Sequence, residues 1–566
     1  MNVEEFRENG KSLIDYMCDY VSTIEKRRVI PNVEPGYLRP ILPDEAPEDP
    51  EKWSEIFKDI ETKIMPGVTH WNHPHFHAYF PAGNSFPSIL GDMLSDVIGS
   101  IGFSWASNPV CTELEVVVLD WLGSAMGLPS TFLAKATNHK SGGVIAGSAS
   151  ESIFTCLLAA RAQSINYLKG SLQKFDGSIF LSKLVAYCSK EAHSCVAKAC
   201  MISTIKLRIL DTDEHLSLRG ETLEKAIRED IEKGYFPFFV AATLGTTAAC
   251  AFDNLEEIGT VCKKFKSIWF HVDAAYAGSA FICPELKHFL KGIHLADSIN
   301  TNSNKWFLTA FDCSCLWVRD RIRLTNAMSV YAAYYPENDE SVEAVDYRHW
   351  GIPLSRRMRS LKLWFVMRCY GLKGLREYIR NHIQLAKYFE SLVLTDNNFE
   401  IMNEVHLGLV CFRLKLSDNT NKDLLARINY EGKIHMIPSQ IKGKLCIRFC
   451  VVYEHATKDH IDYAWNVIKE HANNILSQQQ DTIKAVRPPS ETKQPVLRQI
   501  SRQLSRRLSF VRSLSKEQYN QTKQKQNNSL SDGASPLIMP SEDDEDNILD
   551  MEDMTLDSDD VFPNNK

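Results

Sequence analysis

Short apolar runs recur through the middle of the chain, each followed by a longer segment of helical periodicity. Residues 184–188, 238–242, 268–272 and 315–318 are such runs. They are too short for buried helices, and turn residues bound them, so they read as strands buried on both faces. Strands alternating with helices over residues 86–375 predict an α/β domain with a mostly parallel sheet covered on both faces. Residues 1–85 open on an amphipathic helix, apolar at Phe6, Leu13, Met17, Val21 and Ile24. Pro31, Pro35, Pro40, Pro43, Pro47 and Pro50 follow and impose an extended path. Such a segment is expected to wrap another surface, a second subunit, rather than build a core. Residues 376–476 carry strand-like stretches at 406–414 and 445–452 and a helix at 457–476, which predicts a smaller α+β unit. From 477 to 566 the pattern is lost, and a disordered tail is expected, basic first and acidic at its end.

Composition narrows this picture. The chain has 566 residues, a formal charge of −7, 44% hydrophobic and 24% charged residues. That is ordinary for globular domains and gives no reason to expect nucleic-acid binding by the whole molecule. No apolar run is long enough to span a bilayer, and the first residues are acidic without a signal core. The 15 cysteines are odd in number and scattered through apolar segments, which fits a reducing compartment and makes cytoplasmic the expectation. Neither CxxC nor HExxH occurs, and His70, His73, His75 and His77 lack ligand spacing, so no metal is expected. Their segment, 65–80, is expected to form an aromatic wall of a substrate pocket. In the tail, Leu497, Ile500, Leu504, Leu508, Val511 and Leu514 form a stripe at helical spacing. Ser501, Ser505, Ser509 and Ser515 each follow an Arg by three residues, as basophilic kinases prefer. A kinase, a membrane surface, a calmodulin-like partner and the chain's own acidic end all fit this stripe, as does a plain solvated tail.

Candidate chemistry gathers at strand ends. The run 268–272 stops at Asp273, and about thirty residues on Lys305 stands beside Trp306, which is the pairing a pyridoxal phosphate site needs. The lysine would carry the aldehyde and the aspartate would hold the ring-nitrogen proton. The glycine-rich stretch 140–151 leads into a helix, with Ser148 and Glu151 at capping-box spacing. Ser148, Ala149 and Ser150 there would face a phosphate. His193 follows another strand and could stack on the ring. Thr246, Ala275, Asn302 and Asn304 complete the expected cofactor contacts. Residues 328–345, with Tyr331, Tyr334 and Tyr335, read as a mobile lid, and 349–357 as a pocket floor.

Several ordered motifs carry a family resemblance. They are Pro66-Gly67-Val68-Thr69-His70-Trp71, His77-Ala78-Tyr79-Phe80-Pro81, Cys111-Thr112-Glu113-Leu114-Glu115, Ala192-His193-Ser194, His271-Val272-Asp273-Ala274-Ala275-Tyr276 and Phe311-Asp312-Cys313. Residues 1–476 thereby resemble a group II pyridoxal-phosphate amino-acid decarboxylase. The resemblance implies the fold-type I, aspartate-aminotransferase-like architecture and a homodimer whose lid reaches the neighbouring active site. It implies that Lys305, Asp273 and His193 hold and stack on the cofactor, and that Tyr334 returns a proton to the substrate α-carbon. Relatives with Asn in place of the stacking His are aldehyde synthases, so His193 with Tyr334 implies decarboxylation to an amine. Relatives read Asn-Pro-His-Lys or Asn-Pro-Ser-Lys at the lysine, whereas this chain reads Asn302-Ser303-Asn304-Lys305. The Asn304 amide is expected to donate to the phosphate with some loss of affinity; a pseudoenzyme and a scaffold that works through its tail are the other classes.

For the substrate, the resemblance implies contacts from Tyr79, Phe80, Pro81, Ala82, His193 and Ser355, with Ile101 and Phe103 reaching across a dimer interface. Aromatic residues around the pocket imply an aromatic-sized amino acid. Ser355 resembles tyrosine and histidine decarboxylases, and residues 80–94 resemble invertebrate tyrosine decarboxylases. The expected order is tyrosine to tyramine first, then histidine to histamine, then dopa or 5-hydroxytryptophan.

Overall fold

A computed structural model describes residues 1–171, 177–265, 267–329 and 345–484. The chain divides into Met1–Asp481 and Thr482–Lys566. Residues 477–484, expected in the disordered tail, continue the helix Lys458–Lys484; the tail expectations beyond 484 and the lid tyrosines Tyr331, Tyr334 and Tyr335 lie outside the described residues.

Seven strands form the large sheet: β1 (Gly142–Ala146), β2 (Leu184–Ser189), β3 (Lys206–Leu210), β4 (Phe236–Thr243), β5 (Trp269–Asp273), β6 (Ser298–Asn302) and β7 (Ser314–Val318). Their order is β1-β7-β6-β5-β4-β2-β3, with only β7 running against the rest. The apolar runs recognised in the sequence are β2, β4, β5 and β7. Alternation splits each strand between two cores. Val185, Tyr187, Val240, Ala242, Phe270 and Val272 face one layer of helices, and Leu184, Ala186, Phe239, Ala241 and Trp269 face the other. Part of the glycine-rich stretch, expected as a turn, is itself β1. A Cβ on Gly143 would stand 2.8 Å from the Leu316 carbonyl oxygen on β7, so this pairing admits only glycine there.

The smaller sheet is antiparallel, in the order β10-β11-β9-β8, from β8 (Phe399–Ile401), β9 (Leu409–Leu414), β10 (Ile437–Ile441) and β11 (Lys444–Cys450). It packs against the helices Asp418–Glu431 and Lys458–Lys484 around a second apolar core. The two sheets are joined by a 35-residue helical run, Ser360–Leu394, broken at Gly371.

The histidines of the segment 65–80 pack against the smaller sheet and its helix. His77 stacks on Phe449 at 4.1 Å and His75 on Tyr463 at 4.2 Å. The backbone of His77 exchanges hydrogen bonds with His435 and Cys450. Burial holds His73 and His75 near a pKa of 4 and His77 near 3, so all three are neutral packing groups joining the N-terminal segment to the small sheet. The helix Val3–Ser22 buries none of its residues in this chain.

Gly371 sits at φ +60°, ψ 168°, a region closed to side chains, and nothing lies within 4 Å of its would-be Cβ. Gly371→Ala is therefore expected to destabilise by backbone strain alone, about 1–3 kcal/mol, as a lower urea midpoint with an unchanged slope.

Candidate functional site

The carboxyl ends of the parallel strands meet around a cavity of about 200 Å³. Open parallel sheets place ligands at this edge, because the loops leaving the strands converge there. Asp273 ends β5, Thr243 ends β4 and Asn302 ends β6. Ser148 follows β1, and His193 follows β2. All five line the cavity, together with Ala149, Ser150, Ala275, Phe80 and Lys305. Residues far apart in sequence are thus gathered as the expectation required.

Lys305 lies in the one-turn helix Ser303–Trp306 directly after β6. Burial pulls its amine below the ordinary lysine value, while the Asp273 carboxylate draws it partly back. More of it is therefore a neutral, nucleophilic amine than on a surface lysine. Its Nζ stands 5.5 Å from the Phe80 ring centre. Phe80 stacks on Tyr276 at 3.8 Å and Tyr276 on Trp306 at 4.8 Å, while the Trp306 indole donates to His382 Nδ1 at 3.0 Å. This column of rings fixes the helix that carries the lysine.

His193 caps the helix Ser194–Ile202, its Nδ1 accepting the Cys195 N–H at 3.1 Å. Burial, reinforced by Lys305 and opposed by Asp273, lowers its pKa. The ring is thus neutral, with its proton on Nε2. Cys195 also lines the cavity, and burial pushes its thiol up to about 12. At the helix Ala149–Ser171, Ser148 Oγ accepts the Glu151 N–H at 3.2 Å, while the Glu151 carboxylate accepts from Gly147 at 2.8 Å. The serine cap forms, with the return bond displaced by one residue. The helix N-terminus and the two serine hydroxyls suit an anion. Asn302 Oδ1 is buried and has no hydrogen-bond partner among the described residues, an acceptor that a ligand in the cavity can satisfy. Amine, carboxylate, flat imidazole and anion site together fit pyridoxal phosphate.

Other expectations need correction. Thr246 is fully buried and does not line the cavity; its Oγ1 accepts the Ala251 N–H at 3.0 Å, while Thr243 and Thr247 present themselves instead. Asn304 is absent from the lining too. Its Oδ1 takes the Cys313 N–H at 3.1 Å and so ties the lysine helix to the loop before β7. The segment 349–357 is not the floor of this cavity: Trp350, Gly351, Pro353 and Arg356 line a separate void of about 20 Å³. Arg356 is held there by Glu115 at 2.5 Å. Of the substrate contacts, only Phe80 and His193 line the cavity of the single chain. Tyr79, at φ +58°, turns outward and stacks on Trp71. Pro81 is buried, Ala82 partly so, and Ile101 and Ser355 are exposed, with Phe103 half-buried. The sequence reading also missed Arg448. It is 2% exposed, its guanidinium lies 5.0 Å from the Phe80 ring centre, and its Nη2 donates to the Tyr79 carbonyl. A single charge within the buried stretch 446–450 was its signal. Among the described residues no group of His, Cys, Asp and Glu is placed to hold a metal ion.

Residues 35–415 match the family model described as the pyridoxal-dependent decarboxylase conserved domain. The chain is 50% identical over 477 residues to a Mus musculus aromatic-L-amino-acid decarboxylase, covering 84% of this chain and 99% of that protein. It is 48% identical over 483 residues to a Drosophila melanogaster histidine decarboxylase, covering 85% of this chain but 57% of that longer protein. Among solved structures it is similar to Oryza sativa TDC with PLP and tryptamine, with a TM-score of 0.81 and 35% identity over 84% of this chain and 99% of that one.

Because burial holds the Lys305 amine below 10.5, the folded apoprotein binds fewer protons at this position than the unfolded chain. Stability from this position therefore rises with pH up to that value. Lys305→Met is expected to resist urea better than wild type at neutral pH, the gap narrowing as pH approaches 10.5. A gap independent of pH would place the amine in solvent.

Proposed function

The chain belongs to the pyridoxal-dependent decarboxylase family, and we propose that it decarboxylates an aromatic-sized L-amino acid to the corresponding amine, with L-tyrosine the preferred substrate. The observation that carries this reading is the convergence of Lys305, Asp273 and His193 on one cavity at the strand ends. Pyridoxal phosphate, held by Lys305, Asp273 and the Ser148–Ser150 turn, supplies the electron sink for the pair left when the carboxylate departs. Lys305 contributes an amine that burial makes easier to deprotonate. Asp273 would accept from the ring nitrogen and favour its protonated form. His193, neutral and capped through Nδ1, offers a flat face and one Nε2 proton to whatever lies over it. Tyr334, on the resemblance, delivers the proton to the α-carbon.

Second-subunit contributions belong to the same proposal. The helix Phe86–Ile98 leaves Phe86, Leu90, Val97 and Ile98 exposed, and Ile101, Phe311, Ile352 and Leu354 are exposed as well. A soluble chain rarely leaves this much apolar side chain uncovered, and a second copy is the occupant we assign. Ile101 and Phe103 would then complete the partner's substrate pocket, to which Ser355 is also assigned. The Ser355 hydroxyl can bond a phenol or an imidazole, which supports tyrosine first and histidine second; similarity to a histidine decarboxylase favours that second reading.

Amine release from tyrosine, histidine, dopa and 5-hydroxytryptophan by the cofactor-loaded protein tests the proposal. Tyramine is expected to dominate; histamine as the main product would keep the reaction and overturn the tyrosine assignment. Lys305→Ala is expected to abolish amine production. Ser355→Gly should shift kcat/KM from tyrosine toward dopa by roughly ten-fold or more, since a lost bond to a substrate hydroxyl weighs heavily on selectivity. Unchanged ratios would remove Ser355 from the pocket.

A further inference from the structure

A polar stripe crosses the otherwise apolar sheet. Trp269, His271 and Asp273 alternate along β5 and so share one face, and their neighbours on β6 are Ser298, paired in register with His271, and Asn300, paired with Asp273. Every member is buried. Trp269 Nε1 donates to Ser298 Oγ at 2.8 Å, and Ser298 Oγ meets His271 Nδ1 at 2.8 Å. His271 Nε2 meets Asn300 Oδ1 at 2.8 Å, and Asn300 Nδ2 donates to Asp273 Oδ1 at 3.1 Å.

The direction of every bond follows from the two ends. An indole N–H can only donate, and a carboxylate can only accept. Asn300 must therefore turn its NH₂ to Asp273 and its oxygen to His271. His271 then carries its proton on Nε2, leaving Nδ1 to accept from the Ser298 hydroxyl. Burial holds the imidazole neutral, with a pKa lowered to about 4, as this arrangement requires. The result is four donors in series, all pointing toward the cavity. At the far end Asp273 Oδ1 is saturated, taking the Ala275 N–H at 3.0 Å beside the Asn300 amide. No described hydrogen bond reaches its Oδ2, although the residue lines the cavity.

We propose that His271 is a positioning residue for the cofactor ring: acting through Asn300, it holds Asp273 with Oδ1 occupied and Oδ2 free for the pyridine nitrogen of pyridoxal phosphate. This rests on the cofactor site assigned above. Without His271 the Asn300 oxygen loses its partner, and the amide is held only by its bond to Asp273. The amide can then shift within the stripe and let the carboxylate turn, disturbing the acceptor on which ring protonation depends. Linked polar groups of this kind act together, so the outer members Ser298 and Trp269 contribute through the same path.

The test compares binding of pyridoxal phosphate and its 1-deaza analogue, which lacks the ring nitrogen, to the full-length apoprotein by absorbance titration. The ratio of the two dissociation constants isolates the contact with Asp273, as a double-mutant cycle would. Wild type is expected to prefer pyridoxal phosphate. His271→Leu should shrink that preference by about ten-fold, the scale of a hydrogen bond to a charged group, with Ser298→Ala moving it the same way by less. A loss of affinity equal for both ligands, leaving the ratio at the wild-type value, would mean that His271 only supports the fold and would overturn the proposal. If His271→Leu fails to fold, the same ratio in Ser298→Ala decides. A wild type with no preference between the ligands overturns instead the assignment of Asp273 and the cofactor site, a result distinct from a preference that the variants leave intact.

Discussion

Placing an amine and a carboxylate in the same buried cavity is the constraint on which the rest of the structure depends. Lys305 and Asp273 would each lose much solvation at the end of an apolar sheet, and neither is tolerable there without partners. The fold answers on two sides. Asp273 is held by a backbone N–H and by the Asn300 amide. Lys305 rides on a one-turn helix wedged between the ring column and the loop before β7. The strands converge at their carboxyl ends, so these arrangements occupy adjoining positions in one cavity.

Much of this was legible in the sequence, and the exceptions share a cause. β2, β4, β5 and β7 are apolar runs whose burial is written in their own residues. β6 reads Ser298-Ile299-Asn300-Thr301-Asn302 and has the composition of a loop. It is a buried strand because its polar side chains find partners on β5, a fact no local window contains. β3, at the sheet edge, carries Lys206 and Arg208 and hides its strand character behind charge. Edge strands so charged also resist pairing with other chains. For the site, Lys305, Asp273, His193 and Ser148–Ser150 were found because each follows or ends a recognisable strand or opens a helix. Thr246 and Asn304 were misplaced because residue type says what a side chain can bond and not which way it turns. Asn304 illustrates this: its oxygen takes the Cys313 N–H, a partner nine residues away that its residue type does not announce.

One route between the two sheets runs through the ring column. Tyr276 and Trp306 stack between Phe80 and His382, and the His382 Nε2 meets the Tyr453 carbonyl at 2.9 Å. The Tyr276 hydroxyl also accepts the Gly408 N–H at 3.2 Å. The lysine helix is therefore braced by the small unit as well as by its own strand. Gly371 gives the connecting helical run a change of direction; Leu375 and Ile379 still pack on the large core, and from Leu385 on the run packs on the small one.

Cys195 gives this cavity a chemical selectivity. A thiol beside an amine is ordinarily the stronger competitor for an aldehyde or any other electrophile, because its anion is so nucleophilic. Here one cause acts on both in opposite senses. Burial disfavours charge, which for a thiol means staying protonated and inert, and for an amine means losing its proton and becoming reactive. The same burial thus holds the sulfur back and favours the nitrogen, shifting the balance between two neighbouring nucleophiles toward the amine.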